Sequence, residues 1–320
     1  MRPLVQVRDL MVAYRQTRVL EGISLEVRSG EILALVGETG SGKTTLAMAI
    51  TRLLPPEATV QGQVEINGYD LYAVPAHAMR SLRGRLIGVV PQDAMAALNP
   101  VLPVGAQVAE IFQVHLGISA PAAWARAIEA LAWVQIPHPE RVASLYPHQL
   151  SGGMRQRAIL AMTLALHPPL LIADEPTTAL DRITQSEILA LVRRLQAETG
   201  MSVLWITHDI GVVAALAHRV AVLYAGRLVE VGPCREILEA PAHPYTEALV
   251  RTYRDLIAGG WGQPLYTIDG HPPPGGHTLP GCPFHPRCPY AQQVCRERFP
   301  DPLWRGEHMT ACYFPRGDWG

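Results

Sequence analysis

Three short apolar runs, each closed by polar residues, set the rhythm of the first two thirds of the chain. Ile32-Leu33-Ala34-Leu35-Val36 ends in a glycine-rich turn, Leu170-Leu171-Ile172-Ala173 in Asp174-Glu175, and Val203-Leu204-Trp205-Ile206 in Thr207-His208-Asp209. Runs of four or five apolar residues without alternation read as strands buried on both faces. Between them the pattern turns helical. Leu46-Ala47-Met48-Ala49-Ile50 continues as a helix after the glycine turn, and from Thr184 to Glu198 the residues Ile188, Leu191, Val192 and Leu195 share one face before Gly200 caps the end. Strands alternating with helices predict an α/β fold with a mostly parallel sheet and ligands at the C-terminal ends of its strands. The polar residues that close the three runs fall at those ends.

The pattern breaks near residue 241. The last 80 residues hold 13 of the 28 prolines, three of the four phenylalanines and four of the five cysteines, which predicts a compact, loop-rich appendage. The boundary is expected between Val231 and Ala242. No internal repeat is visible, and one phosphate-loop pattern implies one nucleotide-binding unit. With 48 % hydrophobic and 17 % charged residues and a net charge of −1, the composition is that of an ordinary globular protein. It gives no support to long-range attraction to nucleic acid or to an anionic membrane. Charge interrupts Met1 to Arg8 before a leader-like apolar stretch develops, and the longest oily segment, Ala158 to Leu166, stops at Pro168-Pro169. The expectation is a cytosolic chain whose cysteines are not paired as structural disulfides.

The glycine turn is Gly37-Glu38-Thr39-Gly40-Ser41-Gly42-Lys43-Thr44, followed by Thr45, and Lys43 is the only lysine in the chain. In the context strand, loop, helix, this is a P-loop: backbone N–H groups and the helix N-terminus cradle phosphate oxygens, Lys43 neutralises them, and Thr44 offers a hydroxyl to Mg²⁺. A compact ammonium on a flexible stem reaches between phosphates where a planar guanidinium does not. Asp174, at the end of a buried strand, suits water-mediated contact with Mg²⁺, and Glu175 stands one residue further on to polarise the attacking water.

Leu150-Ser151-Gly152-Gly153-Met154-Arg155-Gln156 is a Ser-Gly-Gly turn opening a helix, followed downstream by Thr178-Ala179-Leu180-Asp181. Here the chain resembles the ATP-binding cassette family. The resemblance implies a P-loop, RecA-like nucleotide-binding domain over 1–240 with an α-helical subdomain at about 94–153, plus a small Cys/Pro-rich extension over 241–320. It further implies that two such domains pair head to tail, so that Ser151, Gly152, Gly153 and Asp181 of one serve the ATP held at 37–45 of the other. Tyr14 takes the place of an aromatic that stacks on adenine, Gln92 that of the glutamine sensing Mg²⁺ and attacking water, and His208 that of the γ-phosphate switch. Thr44, Gln92 and Asp174 would hold Mg²⁺.

Within that family the signature Ser-Gly-Gly-Met-Arg-Gln-Arg, the segments Pro91-Gln92-Asp93 and Tyr146-Pro147-His148-Gln149, and His243-Pro244-Tyr245-Thr246 look like the dipeptide and oligopeptide importer group, D-type ATPase subunit. The implied partners are a second ATPase subunit, identical or paralogous, two transmembrane permease subunits and an extracytoplasmic solute-binding protein, with no nucleic acid. The implied place is the cytoplasmic face of the membrane, as a peripheral protein. A nickel or metal-chelate importer of the same group is the alternative. A DNA-repair ATPase fits less well, because only 107 residues lie between Lys43 and Ser151 and they carry no heptads. Cys282, Cys288, Cys295 and Cys312 are separated by 5, 6 and 16 residues, without the two-residue spacing usual in zinc modules. Peptide-importer ATPases with a similar tail imply a [4Fe-4S] cluster here; Zn²⁺ or unmetallated thiols stay open, and His285 or His308 could replace a ligand. Cys234 stands apart, as a structural residue.

Overall fold

Each of the three apolar runs folds as a strand with every residue buried: Ile32–Val36, Leu170–Asp174 and Ser202–Thr207. The computed structural model describes residues 3–93, 97–258, 266–273 and 279–319, so the first residues of the expected helical subdomain, 94–96, lie outside the described residues. In chain order the elements are β1 (Pro3–Tyr14), β2 (Thr17–Arg28), β3 (Ile32–Val36), α1 (Lys43–Thr51), β4 (Ala58–Ile66), β5 (Tyr69–Asp70), α2 (Ala76–Arg85) and β6 (Ile87–Val90). There follow α3 (Val104–Leu116), α4 (Ala120–Trp133), α5 (Pro139–Ala143), α6 (Gly152–Leu164), β7 (Leu170–Asp174), α7 (Arg182–Thr199), β8 (Ser202–Thr207), α8 (Ile210–Leu216), β9 (Arg219–Tyr224) and β10 (Arg227–Pro233). The last are α9 (Cys234–Glu239), α10 (Pro244–Ala258), α11 (Gln293–Glu297), β11 (Leu303–Arg305) and β12 (His308–Thr310). No helix among the described residues is long and apolar enough to cross a membrane.

The chain divides into two compact units. One comprises Met1–Leu4, Arg28–Gly30 and Ala73–Leu204, the other Val5–Val27, Glu31–Tyr72 and Trp205–Gly320. In the first, β6 and β7 pair in parallel with Val90 opposite Ala173. The helices α3 to α6 lie between those strands in the chain. Gly200 ends α7 in the left-handed region at φ 68°, where the missing Cβ removes the strain, and its N–H returns to the Gln196 carbonyl.

In the second unit β3 pairs in parallel with β9, and β9 turns back antiparallel into β10 through Ala225-Gly226. A separate antiparallel sheet has the order β2-β1-β4-β5. The C-terminal segment is more than an appendage. Its strand β12 pairs with β10, Glu230 opposite Thr310, and β11 pairs with β12, while its first part forms the 15-residue helix α10. A fully buried carboxylate explains the attachment. Glu230 accepts from the N–H of Ala242 at 2.7 Å and of His243 at 2.8 Å, and meets His308 Nε2 at 2.7 Å. Those partners come from both ends of the segment, and removing the carboxylate would strand buried donors. Apolar contact completes the join: Tyr245, Phe284, Cys282 and Cys295 pack with Val220, Val222 and Tyr224 of β9.

Candidate functional site

Strand β3 delivers the P-loop against its neighbour β9 so closely that a Cβ on Gly37 would meet the Leu223 carbonyl oxygen at 2.1 Å; only glycine fits there. The loop closes on itself. Lys43 Nζ donates to the carbonyls of Gly37 at 2.8 Å and Glu38 at 3.0 Å, and the Ser41 N–H donates to Glu38 O at 3.1 Å. Gly42, at φ 102°, turns the chain into α1 and its carbonyl accepts the first helical bond from Leu46 N–H. Lys43 is 6 % exposed, so its ammonium sits inside the loop while the N–H groups at the start of α1 have no helical partner of their own. Gly226, in the β9–β10 turn, donates its N–H to Ser41 O at 2.8 Å. Thr39 and Gly40 are exposed, whereas Thr44 and Thr45 are half-buried in the first turn of α1. The geometry is that of an anion cradle.

Two residues that the sequence reading gave no such role complete the loop's support. Tyr245 Oη accepts the Glu38 N–H at 2.9 Å, and Arg287 grips the Glu38 carboxylate with both terminal nitrogens, at 2.7 and 3.0 Å. Arg287 also donates to Tyr224 Oη at 3.2 Å and, through Nε, to the Asp269 carbonyl at 3.0 Å. Tyr245 belongs to the His243-to-Thr246 motif, which is buried throughout. Burial pushes the His243 ring down to about 3, so it is neutral, and its Nδ1 accepts the Tyr245 N–H at 3.1 Å.

Cys282, Cys288, Cys295 and Cys312 converge on one cavity of about 20 Å³, walled by Phe284 and Tyr313 among others. Burial pushes the Cys282 thiol up to about 11 and Cys312 up to about 12, and raises Cys288 as well. Among the described residues no three or more His, Cys, Asp or Glu side chains form a group that could hold a metal ion as they stand. The donor set itself, four thiols in a largely apolar pocket, is of the kind iron–sulfur clusters use. His285 lines the same cavity, whereas His308 lies between Glu230 and Glu236, its Nδ1 3.3 Å from the latter. Cys234 is buried apart from them, its thiol directed at the Val213 carbonyl. Tyr14 is half-buried at the end of β1, and His208 is exposed between β8 and Asp209, which caps α8 by accepting from Gly211 N–H at 2.7 Å.

In the other unit the ends of the paired strands β6 and β7 carry Gln92, exposed two residues beyond Val90, and Asp174, 6 % exposed, with Glu175 next. Glu175 adopts φ 46°, the left-handed region that a side chain disfavours, and Thr178 Oγ1 donates to its carboxylate at 3.0 Å. Such strain, about 1–3 kcal/mol, persists where the surrounding structure holds the residue in place. Ser151 is the N-cap of α6, its Oγ accepting the Met154 N–H at 3.3 Å, with Gly152 and Gly153 opening the helix. A Cβ on Gly153 would meet Thr184 Cγ2 at 2.6 Å, which fixes how closely α6 passes the start of α7. Asp181 caps α7 by accepting from the N–H groups of Ile183 and Thr184, each at 3.0 Å, and these bonds, led by that of the Thr184 hydroxyl, hold its carboxyl below the usual range.

A buried parallel strand that feeds a self-closed glycine loop into a helix defines a P-loop nucleotide-binding protein. A family model described as ABC transporter matches residues 20–178, and one described as Oligopeptide/dipeptide transporter, C-terminal region, matches 229–295. A probable peptide ABC transporter ATP-binding protein of Sinorhizobium fredii is 46 % identical over 97 % of this chain and 94 % of its own. The oligopeptide transport ATP-binding protein OppD of Salmonella typhimurium is 37 % identical over 98 % and 94 %. Among solved structures, a dimeric ATP-binding cassette in a post-hydrolysis state bound to ADP and Pi is 30 % identical, with a TM-score of 0.64, over 72 % of this chain and 99 % of that one. The chain belongs to the ABC transporter family, and it is an ABC-type ATPase.

Because the Lys43 ammonium fits a buried spot between two carbonyls, the charge-conserving change Lys43→Arg is expected to lower ATP turnover by about tenfold or more. A steady-state phosphate-release assay checks it; turnover within twofold of the wild type would contradict the role given to this side chain.

Proposed function

We propose that the chain is the ATP-hydrolysing subunit of a membrane importer for dipeptides or oligopeptides, acting peripherally at the cytoplasmic face beside separate permease subunits. The observation that carries this reading is the match at 229–295, a segment that takes in most of β10, the strand β12 pairs with, together with Tyr245 and Arg287. The relatives named as peptide or oligopeptide transport proteins span nearly the same length as this chain and support the same cargo class.

The division of roles follows from the residues. The loop 37–45 binds the phosphates, Lys43 neutralises them and Thr44 offers its hydroxyl to Mg²⁺; Tyr14 stacks on the adenine. Asp174 and Gln92 serve the Mg²⁺, Glu175 polarises the attacking water, and His208 responds to the γ-phosphate. Ser151, Gly152, Gly153 and Asp181 act on the nucleotide of a second ATPase subunit, where the start of α6 presents its positive end to phosphate. The ATPase part is 1–240, with the helical subdomain about 94–153, and 241–320 is the extension. A solute-binding protein outside the membrane supplies peptide to the permease. The assignment is tested by affinity isolation of the tagged chain from membranes: a multi-span permease and a second ATPase subunit are expected, and recovery with DNA but no membrane protein would overturn it.

In the extension, Cys282, Cys288, Cys295 and Cys312 would hold a [4Fe-4S] cluster, and its bonds would staple a segment poor in apolar periodicity. Zn²⁺ is the alternative occupant. Burial raises the Cys282, Cys288 and Cys312 thiols, which are therefore protonated at neutral pH, so loading releases protons and is favoured as pH rises. Anaerobically purified chain is expected to contain iron and sulfide, and reconstitution to be less complete at pH 6.5 than at pH 8.5. Stoichiometric zinc without iron would contradict the cluster.

A further inference from the structure

The phosphate loop of this chain contains a carboxylate, and the structure shows what makes it tolerable. Glu38 is the second residue of the loop, its carbonyl accepts from Lys43 and from Ser41 N–H, and its side chain is only partly exposed. An unpaired negative charge there would repel a triphosphate held by the same few residues. Arg287, 249 positions away in sequence and 5 % exposed in its side chain, meets that charge with a bidentate fork. The arginine is itself held from several sides: Tyr224 Oη, the carbonyls of Ile268 and Asp269, and its own N–H to the Phe284 carbonyl at 2.9 Å. Tyr245 meanwhile fixes the Glu38 N–H.

We propose that Arg287 is a positioning residue for nucleotide binding: it neutralises Glu38 and holds the second position of the phosphate loop in place, so that the cysteine-bearing turn of the C-terminal segment sets ATP affinity. The turn is short and closed. Arg287 lies between Cys282 and Cys288, with His285 N–H on the Cys282 carbonyl at 2.9 Å and Cys282 N–H on the Cys295 carbonyl at 2.8 Å. A disturbance of this turn therefore reaches the loop through one side chain. The inference rests on the chain being an ATPase, and that premise is read separately from the affinity of the unsubstituted chain.

The experiment measures equilibrium binding of ATP to the full-length chain in the presence of Mg²⁺. Arg287→Ala is expected to raise the Kd about tenfold, because it exposes the Glu38 charge to the phosphates. Adding Glu38→Gln to that variant is expected to return the Kd to within about threefold of the unsubstituted chain, since the repelling charge is gone and the two positions are coupled. A merely structural role for Arg287 would not be rescued in this way. If Arg287→Ala does not fold, Arg287→Gln, closer in shape and likewise neutral, replaces it in both arms. An unchanged Kd in the arginine variant, or no recovery in the double variant, overturns the proposal. No ATP binding by the unsubstituted chain would instead overturn the ATPase premise.

Discussion

A phosphate-binding loop works only if its N–H groups are turned toward the ligand before the ligand arrives, and in this chain that arrangement depends on the contacts made by Glu38. Its carbonyl anchors the Lys43 ammonium, its N–H is held by Tyr245, and its carboxylate is held by Arg287. Lys43, Tyr245 and Arg287 come from α1, α10 and the cysteine-bearing turn. The C-terminal segment is thereby part of the nucleotide cradle. The same segment is fastened to the sheet by Glu230, whose buried carboxylate joins Ala242, His243 and His308. Preorganisation of this kind lowers the ordering cost of binding, and it makes the segment's integrity a condition of ATP affinity.

Much of this was legible in the sequence because the signals are local. Ile32 to Val36 is uninterruptedly apolar because it is buried on both faces, and Gly37 and Gly42 mark positions where a Cβ would collide. Gly200 ends α7 where the apolar periodicity ends. Asp174 and Glu175 close a buried strand, so their place at its end followed from the run before them. What local pattern does not carry is the pairing of distant polar residues. Arg287 sits between Pro286 and Cys288 with nothing in its neighbourhood to point to Glu38. The tail reads as a loop-rich appendage for a related reason: β11 and β12 are three residues each, too short to show alternation, and join β10 through a register that only the folded chain displays. The left-handed backbone at Glu175 is likewise invisible in composition.

The loop 37–45 is braced by Tyr245 and Arg287 of the C-terminal segment, while Gln92, Asp174 and Glu175 stand at or just beyond the ends of β6 and β7, with Glu175 in a left-handed conformation supported by Thr178. Ser151 and Asp181 cap the helices α6 and α7, so both are already oriented by their own helices before any nucleotide is present.

In the function proposed for this chain, its hydrolysis of ATP drives peptide into the cell. The most direct measurement is uptake of a labelled oligopeptide by cells that lack the chain and are supplied with either the unsubstituted form or Glu175→Gln at equal abundance. Accumulation is expected with the unsubstituted chain and none above background with Glu175→Gln. Equal uptake in both would contradict that function.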